Sequence, residues 1–167
     1  MKSFDELTIA DDFMFCVIMQ KKKICKQVLQ ATLGNKIGEI KNITYQRTLR
    51  ETLEAKSVRF HVLAKDEQNC IYNIEMQLAH KQNIPLRMHY YSTTIDYSFL
   101  NKGADYETLP ETFVIFFCDF DPLGKALPQY TIKSFVCEDK TILFNDKRTS
   151  VIVTKFADEK SCEQRSR

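Results

Sequence analysis

An α/β fold, with helices flanking a mixed β-sheet, is what this sequence predicts, and three observations carry that reading. Residues 112–118, TFVIFFC, form a nearly continuous β-branched and aromatic run, the pattern of a strand buried on both faces. Residues 56–64 and 71–77 alternate apolar and polar side chains with period two across a short polar connection, as a hairpin does. Between them, a segment opened by Pro85 and closed near Gly103 reads as a helix lying across a sheet.

The remaining elements follow in order. Asp11 and Asp12 precede the apolar stretch 13–19, so they can cap a helix and favour its positive end. A second helix over 24–33 stops at Gly34 and Asn35, residues suited to the left-handed turn after a helix. Residues 40–47 read as a first strand, and 49–54 show no assignable pattern. After the hairpin, the helix over 86–100 and the continuous run, residues 119–127 form a loop with Pro122 and Gly124. Strands are expected over 130–137 and 150–156, with 145–148 turning between 141–144 and the last strand. The layout is one domain over 1–157 and a polar tail over 158–167.

Composition narrows the classes. At 167 residues, 44% hydrophobic and 28% charged, the chain can bury a substantial core and is not of the disordered type. Its net charge of +2 is nearly balanced, so any nucleic-acid contact needs a local basic cluster. Candidates are Lys21, Lys22 and Lys23 with Lys26, which also read as a solvated face, and Arg47 with Arg50. Six cysteines include no CxxC pair and no zinc-ligand spacing with His61, His80 or His89. Reduced thiols and a cytoplasmic location are the expectation. There is no signal-like apolar run at the start and no stretch approaching the roughly 20 apolar residues of a membrane span, so no membrane partner is expected.

The hairpin is the best pointer to function. Val58, Phe60, Val62 and Ala64 share one face of its first strand, and Ile74, Met76 and Leu78 that of its second. The opposite parity carries Arg59, His61 and Leu63, facing Asn73, Glu75 and Gln77. A connection centred near Gln68 sets His61 opposite Glu75 and Arg59 opposite Gln77, close enough to share a ligand. The same alternation fits a sheet with one buried and one wet face.

Several segments together resemble the PD-(D/E)xK nuclease superfamily, in its recombination-promoting nuclease and putative transposase (Rpn) branch. They are DFMF at 12–15, YNIEMQ at 72–77, RMHYY at 87–91, KGADY at 102–106 and VIFF at 114–117. The resemblance implies a restriction-endonuclease-like core, metal-dependent DNA endonuclease ancestry, Mg or Mn as cofactor if active, and DNA as partner, with a homo-oligomer left open. It places catalytic roles on Glu75 and Gln77 and metal binding on Glu75, with His61 at the second position as a substitute or lost ligand; the hairpin register adds Arg59, and residue chemistry Arg87 and Tyr91, as nucleic-acid contacts. In such families a second-strand Asp and a third-strand acid hold the metal. Glutamine is common two positions after that acid in this branch, as Gln77 is here.

His61 stands where the Asp is expected, and this departure implies weakened Mg binding, because imidazole nitrogen suits softer ions. Asp66 is about 16 Å further along an extended strand at roughly 3.3 Å per residue, too far to substitute. Glu67 is no better placed, whereas Glu51, Glu54, Asp11 and Asp12 could approach through the fold. Arg87 with Tyr90 and Tyr91 suits phosphate contact and base stacking, and equally tyrosines packed on a sheet with their hydroxyls satisfied at its edge. His80 and His89 read as surface or helix residues, and Gly103 and Asp105 as a helix stop and turn. Family members usually continue into a helical C-terminal region, so the expected unit is the nuclease core without it. The alternative is an inactive DNA-binding or protein-interaction remnant of the same fold.

Overall fold

Apolar periodicity at the start folds into two short helices, α1 (Asp12–Met19) and α2 (Lys22–Leu33), the second ending on Gly34 at φ 93°. The structure is a computed structural model, and it describes residues 12–34, 37–49, 58–80 and 82–155. Strands β1 (Ile40–Leu49), β2 (Val58–Asp66) and β3 (Ile71–Gln77) follow, then helix α3 (Ile84–Phe99) with Pro85 in its first turn. A 3-10 turn at Tyr106–Thr108, capped by the Asp105 carboxylate, leads to β4 (Thr112–Cys118), β5 (Gln129–Ile132) and β6 (Arg148–Thr154).

The six strands make one mixed sheet in the order β1-β2-β3-β4-β6-β5. β4 is parallel to both neighbours, β3 and β6, and the other pairings are antiparallel. Its unbroken apolar run follows from that central position, because α1 and α2 cover one face and α3 the other. Tyr72, Ile74, Val62 and Ala64 pack toward α1 and α2 with Phe15, Cys16, Met19 and Leu29. Ile71, Val114, Phe116 and Ile152 pack toward α3 with Ile84, Met88 and Ile95. Asp96 of α3 accepts a hydrogen bond from Arg148 of β6, pinning the helix across β4. Burial raises the Asp96 carboxyl above its ordinary range although Arg148 pulls it down.

Three expectations need correction. β5 is four residues long and does not reach 137: its ladder with β6 ends at Ile132↔Ser150, and the chain beyond turns to the 142–146 segment, where the Phe144 amide donates to the Ser134 carbonyl. Beyond it, Phe135 and Leu143 form only an isolated bridge. β6 starts two residues before 150, because Lys147 at φ 56° closes the turn early enough for Arg148 to pair with Thr112. Phe60 does not share the face of Val62 and Ala64; it packs edge-on against Tyr91 of α3, ring centroids 5.3 Å apart. The ladder with β3 ends at Val62↔Ile74, while β2 stays paired with β1 through Val58. Asp11, Arg50, Glu51, Glu54, Cys162 and the tail lie outside the described residues, as do the side chains of Asp12 and Arg47.

The hairpin turn is held by Asp66. Its buried carboxylate accepts from the Gln68 and Cys70 amides, both at 2.9 Å, and from the Tyr72 hydroxyl at 2.8 Å. Gly38 lies so close that a β-carbon there would sit 3.0 Å from Asp66 Oδ2. Asp66→Ala is expected to cost about 3 kcal/mol, since it leaves the buried Tyr72 hydroxyl and a turn amide without acceptors. Urea unfolding checks this, a loss below 1 kcal/mol contradicting the assigned anchor.

Candidate active site

The site forms where the β2–β3 ladder opens. The last backbone pairing is Val62↔Ile74, and beyond it side chains replace the missing backbone bonds. The His61 amide donates to Glu75 Oε1 at 3.0 Å, and the Met76 amide donates to His61 Nδ1 at 3.2 Å. Each strand's amide is thus accepted by a side chain of the other, a reciprocal clasp across the gap. The second Glu75 oxygen lies 3.8 Å from His61 Nδ1. From α1, the Cys16 thiol donates to the His61 carbonyl at 3.4 Å.

Alternation on β3 aims Asn73, Glu75 and Gln77 at α3, and that face is not wet. Asn73 is 0%, Glu75 1% and Gln77 7% exposed, so the wet-sheet alternative fails because α3 covers them. Asn73 Nδ2 donates to Glu75 Oε1 at 2.8 Å, giving that oxygen two donors. Gln77 Nε2 donates to the Ala79 carbonyl at 2.6 Å, and its Oε1 accepts from Arg87 Nη1. Arg87 Nη2 also donates to the Tyr91 hydroxyl at 3.1 Å. The guanidinium carbon lies 5.0 Å from the Phe116 ring centroid and 5.5 Å from that of Tyr91, within cation–π range. Burial raises the Tyr91 hydroxyl pKa and the Glu75 charge adds to the rise, while Arg87 lowers it.

The structure therefore brings His61, Glu75, Gln77, Arg87 and Tyr91 into one cluster. Arg59 is exposed on β2 past the point where the ladder ends, so the expected pairing with Gln77 does not form. Tyr91 packs on the sheet with its hydroxyl satisfied by the same arginine that meets Gln77, so packing and site membership coincide. His80 lies exposed against Phe120 and His89 is exposed on α3. Asn73, Cys16 and Phe116 also support the cluster, beyond the residues that the sequence singles out. Period-two parity was the available signal for Asn73, whereas nothing local in the sequence marks Cys16 or Phe116 as neighbours of the site.

A mixed sheet between helices, with a buried carboxylate near the end of a central strand and a guanidinium that meets Gln77 two residues further on, defines a restriction-endonuclease-like core. A family model described as PD-(D/E)XK nuclease family transposase matches residues 10–156, and the chain belongs to that family. No curated protein and no solved structure matches the chain at significant similarity.

Among the described residues the donor set does not fit a hard divalent ion. Such an ion takes oxygen ligands in near-octahedral order, but Glu75 is accompanied by an imidazole whose Nδ1 lone pair is spent on the Met76 amide. In the neutral ring the other nitrogen then carries the proton and is a donor. Among the described residues no three His, Cys, Asp or Glu side chains converge as a metal site would require.

Cys118, at the end of β4, has its thiol raised from 9.0 to about 11, chiefly by burial, although Arg87 pulls it down. The folded state keeps this proton to higher pH than the unfolded chain, so its stabilisation is complete below about pH 9 and is lost as pH rises toward 11. Urea midpoints measured across this range should fall, and Cys118→Ala should make the fall shallower. An unchanged slope in that variant would contradict the assignment.

Proposed function

We propose that this protein is a recombination-promoting-nuclease type of DNA-binding protein, descended from metal-dependent DNA endonucleases, whose phosphodiester hydrolysis is impaired at His61. The observation that carries the reading is the clasp: His61 Nδ1 accepts the Met76 amide, and Glu75 Oε1 accepts the His61 amide and Asn73. Hydrolysis of a phosphodiester needs positive charge on the phosphate oxygens and an activated water. In this family reading Mg or Mn supplies both, held by the β3 acid and a second carboxylate. An imidazole in place of that carboxylate removes one negative charge and an oxygen donor, which weakens a hard-ion site.

Arg87, with Tyr91 beside it, is the group suited to a backbone phosphate, and exposed Arg59 adds charge at the rim. Such contacts release counterions, so DNA binding weakens steeply with salt.

Plasmid nicking with Mg²⁺ and with Mn²⁺, for the wild-type chain, His61→Asp and the double variant His61→Asp/Glu75→Gln, tests the proposal. The wild type should cut no faster than the double variant, and His61→Asp should gain about 10- to 100-fold, the scale of a metal-site repair. Wild-type cutting equal to that of His61→Asp would remove the claim of impairment. A folded His61→Asp variant inert with both ions would show that Glu75 and position 61 are not the metal site.

A further inference from the structure

Gln77 and Arg87 form a unit separable from any metal chemistry. Both ends of the Gln77 amide are engaged, Nε2 by the Ala79 carbonyl and Oε1 by Arg87. With those bonds in place, Gln77 acts on a bound group through the arginine it holds. Arg87 has the opposite profile. A guanidinium carries five N–H donors in a rigid plane; one goes to Gln77 and one to Tyr91, and no described acceptor takes the other three. Among the described residues no carboxylate lies within ion-pair distance of it.

Its plane is held from several sides: by Gln77, by the Tyr91 hydroxyl, and by the faces of Phe116 and Tyr91. Arg87 also sits one turn into α3, whose N-terminus has no side-chain cap from Asn83, so positive helix-end potential adds to its own charge. A half-buried, oriented guanidinium with open donors and, among the described residues, no carboxylate within ion-pair distance is a ready seat for a planar or tetrahedral oxyanion.

We infer that Gln77 is a positioning residue that aims Arg87, and that the aimed guanidinium is a metal-independent seat for a phosphate oxyanion. The seat rests on the DNA-binding reading only in naming whose phosphate it is. Gln77 is suited to the task because it is neutral. It orients the guanidinium with one oxygen and adds no negative charge at that contact, where a carboxylate would.

The test uses full-length, isotope-labelled protein in EDTA, titrated with inorganic phosphate while the Arg87 Nε–Hε resonance is followed. The wild type should give a saturable shift. Arg87→Lys keeps the charge but loses the fork, and should weaken phosphate about tenfold, the scale of one charge-assisted hydrogen bond. Gln77→Glu should weaken it to a similar extent, with an unchanged or higher urea midpoint, because the new carboxylate holds the guanidinium and competes for it; backbone amide shifts report binding in both variants. A purely structural Gln77 would move the urea midpoint and leave phosphate affinity alone. Absence of a saturable wild-type shift, or variants that bind phosphate as the wild type does, overturns the inference.

A short DNA duplex in the same EDTA buffer separates this from the functional proposal. Phosphate bound at Arg87 with no duplex binding sinks the nucleic-acid reading and leaves the seat standing. Duplex binding that Arg87→Lys and Gln77→Glu do not change leaves the nucleic-acid reading and removes the seat.

Discussion

The reciprocal clasp between His61 and the Glu75–Met76 stretch is the constraint on which the rest of the site depends. An antiparallel pair that stops pairing leaves amides without acceptors, and in a covered sheet such amides are costly. Here the two strands exchange side-chain acceptors, so β2 separates from β3 without stranding those amides. Past that point β2 stays paired with β1 alone, and Phe60 lies against Tyr91 of α3. The same bond that lets the strands part also holds the Glu75 carboxylate.

Burial of a polar row under α3 is the second organising feature. Asn73, Glu75 and Gln77 are nearly sealed, and a buried carboxylate or amide is tolerated only when hydrogen-bonded. Asn73 and the His61 amide serve Glu75, while Ala79 and Arg87 serve Gln77. The Asp96–Arg148 pair keeps α3 seated across β4, so its Arg87 and Tyr91 meet β3. The helix is thereby both a roof over the polar row and the source of its cation. A polar face closed in this way is costly as mere scaffolding, which supports a functional reading of the row.

Much of the fold was legible because its signals are local. The TFVIFFC run marked the central strand, Pro85 and Gly103 bracketed α3, and the alternation about Gln68 gave a hairpin register that the observed pairs Val62↔Ile74 and Lys65↔Ile71 follow. β5 was less legible, because its length depends on where the chain leaves β6 for the 142–146 segment, a tertiary choice that residue pattern does not mark. Phe60 departs from the face that period two predicts at the point where β2 has lost β3 and stays paired with β1 alone. Asp66, too distant along the strand to serve the site, is the buried anchor of the turn, a role decided by how the hairpin closes.

By itself, the sequence determined the family, the α/β class, the hairpin register and the presence of His61 where an acid was expected, since these reside in residue type and spacing along one segment. Only the tertiary structure decided that the polar face is sealed beneath α3, that His61 spends its ring nitrogen on the Met76 amide, and that Gln77 reaches Arg87. The physical reason is that hydrogen-bond commitments are competitions among all acceptors within reach. That set exists only once β2, β3 and α3 have packed together.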